Sequence, residues 1–184
     1  MAKKEQYTYR KTRRGTRVIP SQFTAISAGW RYSSGALHAA YDYPLPVGTP
    51  IVAPKDCLVL DCSFGVPNNR PGHNPGSGAP SNWVLLGWRT KSGKRVVAYA
   101  QHLDPRRPKK LRGVDYRNRK VVKEGMVIGW SGNSGNSTGP HLHWHVWELR
   151  ADEPWPGRWG RYGNMSNNGA AAVWTPDRPW KAYA

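Results

Sequence analysis

The sequence predicts a mainly β protein, a compact antiparallel β-sheet domain, on three observations. Short runs rich in Val, Ile, Trp and Tyr recur along the chain, as residue types that fit a pleated, half-buried surface do. Glycine and proline, 20 and 16 of the 184 residues, fall between these runs as turn signals. No long amphipathic helical period is present. The length suits one domain with its own core, expected over residues 23–150, preceded by a basic extension (1–22) and followed by a Trp- and Gly-rich tail (151–184).

The first 22 residues are basic and polar, and no structure is expected before Val18 and Ile19, the first apolar pair. They have the cations of a signal-peptide start, but Pro20, Ser21 and Gln22 break the apolar run that should follow, so no signal peptide is expected. The stretch TPIVAPKDCLVLDCSFG (49–65) reads as two strands about a Pro54-Lys55-Asp56 turn, a hairpin-like unit. Residues 66–82 form a long loop by composition, with His73 expected in solvent. Residues 82–103, NWVLLGWRTKSGKRVVAYAQHL, read as a hairpin around Thr90 to Gly93, with His102 ending its second strand.

A basic loop (105–120) follows, then a turn at Glu124-Gly125 and a short strand. SGNSGNSTGP (131–140) is a loop leading into HLHWHV (141–146); it lacks the lysine of a phosphate-binding loop. From Trp155 the text is rich in Trp, Gly, Pro and Asn. Too short for a core of its own, it is expected to pack on the domain, its tryptophans serving as buried surface or as sugar-stacking rings. Cys57 and Cys62, on one extended strand, would have Cα atoms roughly 17 Å apart, too far for a disulfide. Free thiols are expected, in keeping with synthesis in a reducing cytoplasm.

Lys and Arg outnumber Asp and Glu 28 to 11, a net charge of +17, with clusters at 3–17 and 106–120. Such a balance points to a polyanionic partner, either nucleic acid or the anionic polymers of a bacterial envelope, and is also what a merely solvated basic surface shows. No run approaches the ~20 apolar residues of a membrane-spanning helix, so no membrane insertion is expected.

The residues that carry chemistry are histidines. On a strand, His141, His143 and His145 share one face while Leu142, Trp144 and Val146 share the other. Imidazoles on so apolar a strand would leave ring nitrogens unsatisfied unless something binds them. Upstream stands His38-x-x-x-Asp42. Fully extended, its ends would lie roughly 13 Å apart, so the chain must turn there for both side chains to reach one metal ion. The HExxH motif of helix-borne zinc sites is absent.

HAAYD (38–42), YAQHL (99–103) and SGNSGNSTGPHLHWHVWE (131–148), with PVGTPIVAP and VVKEGMVIGWSG between, resemble the lysostaphin/LytM-type zinc metallopeptidases that cut peptidoglycan peptides. The resemblance implies a zinc-containing groove flanked by long loops. It implies one zinc per chain on His38, Asp42 and His143, with His102 and His141 as the catalytic pair beside an activated water, their individual roles left open. The substrate implied is a stem peptide or cross-bridge of cell-wall peptidoglycan.

Two positions depart from the family pattern: Ala40 stands where glycine is usual, and His145 where glutamate is usual. His145 is expected to neighbour the site rather than bind metal. The accompanying expectations are a monomeric enzyme, a bacteriophage endolysin made in the host cytoplasm, acting at the wall on peptidoglycan and its anionic polymers, with no specific nucleic-acid partner. The competing readings are a non-catalytic wall-binding module and a basic nucleic-acid-binding protein with a metal site.

Overall fold

A computed structural model describes residues 9–11, 17–20, 27–29, 31–38 and 40–157. Ten strands account for nearly all its regular structure: β1 (Tyr9–Lys11), β2 (Arg17–Pro20), β3 (Tyr41–Tyr43), β4 (Pro50–Val52), β5 (Cys57–Ser63), β6 (Trp83–Arg89), β7 (Arg95–Gln101), β8 (Lys120–Val122), β9 (Val127–Trp130) and β10 (Leu142–Glu148). The only helical element among the described residues is a single 3-10 turn, Lys109–Leu111. None of the described helices is long and apolar enough to cross a membrane.

The main sheet has six strands in the order β3-β10-β7-β6-β5-β8, with every pairing antiparallel. Its centre is the expected hairpin. β6 and β7 pair from Trp83 opposite Gln101 to Arg89 opposite Arg95, closed by a turn in which Thr90 and Lys94 exchange a hydrogen bond and Gly93 takes a φ of 85°. The sequence WVLLGW is buried at every position because both faces of this strand are covered, which is why it reads as a continuous apolar run. On one face Tyr43, Val59, Leu86, Ala98, Trp144 and their neighbours form the larger core. On the other, Leu60, Trp83, Leu85, Val97, Tyr99 and Trp147 form a second.

The hairpin expected over 49–65 does not form. β4 pairs with β9 in a separate two-stranded ribbon, while β5 joins the main sheet between β6 and β8. Ile51 of β4 and Ile128 of β9 belong to the larger core, so the ribbon covers that face of the sheet. The pairing was decided by which apolar surface needed a lid. The Pro-Lys-Asp turn carries the chain from one layer to the other rather than back along its own strand.

Cys57 and Cys62 are free and buried, as expected. They face the same core although five residues apart, because a register shift between Val59 and Asp61 inserts Leu60 into β5 and inverts the alternation. Burial pushes the Cys57 thiol up to about 12 and the Cys62 thiol up to about 11, which makes both poor nucleophiles.

Beyond the sheet, the 105–120 loop is anchored by Leu111 and Val114, both buried in the larger core. Leu111→Ala is expected to cost about 2–5 kcal/mol of unfolding free energy, read by chemical denaturation, because a fully enclosed side chain would leave a cavity. At the far end, Trp155 packs on the second core, and a Cβ at Gly87 would lie 2.7 Å from its ring, so only glycine admits the tryptophan there. The remainder of the Trp-rich tail lies outside the described residues. Within the N-terminal extension, β1 and β2 pair with each other where no structure was expected; the rest of that extension also lies outside the described residues.

Candidate active site

β10 is the strand that assembles the site. It lies between β3 and β7, so that His143 stands opposite Asp42 on one side and Gln101 on the other. Asp42 therefore reaches His143 through sheet register, and His102 arrives as the residue after β7. His38 comes from the bend before β3, where Ala40 is buried and serves where glycine is usual. The turn required between His38 and Asp42 is present: His38 Nε2 lies 3.3 Å from Asp42 Oδ1.

His143 Nδ1 lies 3.0 Å from Asp42 Oδ1 and 3.0 Å from His38 Nε2. Three donor atoms at these mutual distances match the roughly 3.3 Å spacing that tetrahedral ~2.0–2.1 Å bonds impose on zinc ligands. Among the described residues this is the group able to hold a metal ion. The donor set of two imidazoles and one carboxylate suits zinc, and three protein ligands leave a fourth position for water or substrate. His38 Nδ1 donates to the Gly29 carbonyl at 2.8 Å, which fixes the tautomer with its lone pair on Nε2, the atom turned to Asp42.

The electrostatics follow from this packing. Burial works against the His38 imidazolium, but its hydrogen bond to Asp42, the Asp42 charge and the Gly29 carbonyl outweigh burial and raise its basicity. Burial also favours a neutral Asp42, yet the hydrogen bonds donated by His143 and by His38 when His38 is protonated hold its carboxyl well below the usual range. Burial dominates at His143 and lowers its pKa despite Asp42.

His102 and His141 flank this cluster, with ring centroids 4.5 Å apart, and His141 Nε2 lies 3.8 Å from Asp42 Oδ1. His141 precedes β10 and forms an isolated bridge with Gly132. Each ring is oriented by a backbone carbonyl: His102 Nδ1 donates to Ser134 O at 2.7 Å, and His141 Nδ1 to Gly139 O at 2.9 Å. Both therefore keep Nε2 as the lone-pair nitrogen. Burial pushes His102 down to about 3, helped by the neighbouring His141 and His143, so it starts any reaction neutral. His102 is also the one described residue other than glycine with positive φ, at 60°, a conformation that costs about 1–2 kcal/mol and turns the ring out of the β7 line.

The restraint on that strained turn was not visible in the sequence. Asn82 Nδ2 and Ser134 Oγ both donate to the Leu103 carbonyl, each at 2.8 Å, and so grip the residue after His102. Asn68 and Asn69, from the loop that composition marked only as long, accept from Asn133 N and donate to the Gly135 and Ser137 carbonyls. Ser137 Oγ lies 2.6 Å from Asn133 Oδ1 and 3.2 Å from His141 Nδ1. A Cβ at Gly132 would sit 2.5 Å from the Asp104 nitrogen, so the loops that carry His102 and His141 touch backbone to backbone.

Loop 66–82 is thus a clamp on the 131–140 loop, and its Asn-rich composition was the available signal. Ser137→Ala is expected to lower kcat by roughly tenfold with KM little changed, because His141 loses an orienting contact. Ser137→Thr, which keeps the hydroxyl, should recover most of it.

The sequence profile of peptidase family M23 matches residues 36–154. The chain belongs to that family. Its curated relatives include lysostaphin of Staphylococcus simulans, 26% identical over 153 residues, covering 80% of this chain and 26% of the relative. The DD-carboxypeptidase/endopeptidase Mpg of Neisseria meningitidis is 30% identical, covering 72% and 26%, and the peptidoglycan DD-endopeptidase ShyA of Vibrio cholerae is 25% identical, covering 66% and 26%. The chain thus spans about a quarter of the length of these relatives. Among solved structures, the catalytic domain of lysostaphin from Staphylococcus simulans is similar at 26% identity and TM-score 0.45, covering 68% of this chain and 81% of that one.

This M23 chain brings all five site residues read from the sequence, His38, Asp42, His102, His141 and His143, into one cluster. His145 is not in the group able to hold metal; it is buried, and its ring lies 4.9 Å from that of Trp147. Tyr32, which the sequence reading passed over, stacks on His38 at 4.4 Å and is 45% exposed, so its ring borders the site on the solvent side. His73 is exposed, as expected of a loop histidine.

Proposed function

We propose that this peptidase is a zinc-dependent endopeptidase that hydrolyses peptide bonds in the stem peptides or cross-bridges of bacterial peptidoglycan. The observation that carries the reading is the convergence of His38 Nε2, Asp42 Oδ1 and His143 Nδ1 beside two histidines whose Nδ1 atoms are already committed to carbonyls. When bound, zinc supplies Lewis acidity and a water of lowered pKa. The chain's own residues do the rest. His38, Asp42 and His143 hold the ion with Asp42 ionised. His102 and His141 present Nε2 lone pairs, so one accepts the proton released as water attacks the carbonyl, and the resulting imidazolium can return it to the departing amine. Burial around His102 and His143 excludes bulk water and strengthens each of these interactions.

Peptidoglycan as the substrate class is supported by the relative named a peptidoglycan DD-endopeptidase and by a net charge of +17, which suits an anionic wall. Synthesis in a reducing cytoplasm before action at the wall is part of the same proposal, and the two free thiols agree with it. The deciding experiment is mass spectrometry of fragments released from purified peptidoglycan. New peptide amino termini that disappear on chelation and return with zinc are expected; release of sugar fragments alone, or chelator-resistant release, would overturn the proposal.

A further inference from the structure

We propose that the exposed cations Arg107, Lys109, Lys110, Arg112 and Lys120 form a docking surface for a linear polyol-phosphate polymer of the bacterial envelope, one that holds the enzyme against its substrate. The proposal rests on the wall-directed reading above and adds to it a surface, a ligand chemistry and a role.

The surface is built into the fold. Pro108, Leu111 and Val114 are buried, and the 3-10 turn that sinks Leu111 leaves Lys109 and Lys110 exposed on either side of the anchor's path. Lys120 Nζ donates to the Arg112 carbonyl at 2.7 Å, joining the first strand residue of β8 to the turn. The backbone that carries these cations is therefore fixed before any ligand arrives, and Lys120 is tied to it, which reduces the ordering cost of binding.

Little of their charge is neutralised from within, since Asp115 is the one acid in the segment. Asp104, just before the segment, is buried and engaged by Arg106 Nε and Asn68 Nδ2. Asp115 spends Oδ1 on the backbone N–H groups of Arg117 and Asn118. Among the described residues, Arg107, Lys109, Lys110 and Arg112 make no ion pair with any carboxylate.

The neighbouring aromatics decide the ligand class. Trp130, Phe64 and Tyr116 border the segment, and each already carries a guanidinium over its ring: Arg106 at 4.8 Å, Arg107 at 5.5 Å and Arg117 at 5.1 Å. Each ring thus has one face already taken by a guanidinium, which limits base stacking, and no described helix is long enough to enter a duplex groove. What remains is a row of ammonium and guanidinium groups that recognises repeated phosphate charge without reading bases. The segment begins three residues after His102, and Asp104 N donates to Trp130 O at 2.9 Å, so a polymer held here lies beside the loop that carries His102.

The test uses the full chain and a purified poly(glycerol phosphate). The variant R107Q/K109Q/K110Q/R112Q leaves Leu111 in place; should it fail to fold, K109Q/K110Q serves in its stead. The wild type is expected to bind the polymer with an affinity that falls as salt rises. The variant should bind at least tenfold more weakly, with a flatter salt dependence. Wild-type lysis should be faster on walls that keep the polymer than on walls stripped of it, and the variant should lose that ratio.

Equal binding by the variant would overturn the proposal. So would tighter binding of single-stranded DNA of matched charge, or loss of binding only when the cations of residues 3–17 are neutralised. A protein that binds the polymer but releases no peptides would sink the peptidase reading and leave this surface standing. Peptide release with variant binding equal to wild type would do the reverse.

Discussion

His141→Ala is expected to lower kcat/KM for peptide release by about 10²–10⁴-fold while zinc content stays at about one ion per chain. The separation follows from geometry: His141 Nε2 faces Asp42 at 3.8 Å but is not among the three atoms that converge to hold metal. His141 lies at the loop-to-strand junction, where its backbone N–H donates to Gly132 O whatever side chain it carries, so the fold should survive the change. His102→Ala should behave alike, and the double variant should cost little more than either single one if the two histidines act as a unit. Elemental analysis beside the kinetics checks the assignment. Wild-type rates, or a loss of zinc equal to the loss of rate, would remove His141 from the chemistry.

Asp42→Asn is expected to weaken zinc binding by at least ~100-fold and to abolish activity with it, because the amide cannot replace the charge of a ligating carboxylate. Competition with a chromogenic chelator measures the affinity directly, without reference to turnover. The pH dependence has a definite sign. Asp42 is held well below the usual carboxylate range and is already ionised, and burial keeps His143 neutral. His38 is raised by Asp42 and is the ligand that must shed a proton. Zinc affinity should therefore fall as pH drops through the His38 pKa, by roughly tenfold per unit once His38 is protonated. Asp42→Asn removes the cause of the raised His38 pKa, so that fall should begin at a lower pH in the variant.

The candidate site was legible through short motifs, HAAYD, YAQHL and the His-x-His strand, that resemble a known peptidase family. An alternating strand places His141 and His143 two residues apart, and four residues with a forced turn bring His38 to Asp42. The β6 and β7 hairpin was legible from local signals, since its turn and both strands are contiguous. The pairing of β4 was not. It depends on β9, more than seventy residues downstream, and a local turn signal at Pro54-Lys55-Asp56 cannot compete with burial of Ile51 beneath the sheet. The inserted Leu60 in β5 was equally hidden, because a bulge changes which face each residue takes without altering composition.

The restraint on His102 and His141 belongs to the same class. Asn68, Asn69 and Asn82 look like ordinary loop residues until the fold brings them to Asn133, Ser134 and the Leu103 carbonyl. The sequence alone determined the mainly β class, the free thiols and the basic charge, because each follows from residue type and spacing along a few neighbouring positions; the five candidate site residues were picked out by resemblance to the lysostaphin/LytM-type peptidases. Only the tertiary structure decided the layer that β4 and β9 form, the strained backbone at His102, and the clamp that loop 66–82 places on the 131–140 loop. Those depend on hydrogen bonds and burial between segments tens of residues apart, where the stability of each contact is set by what the rest of the chain leaves uncovered.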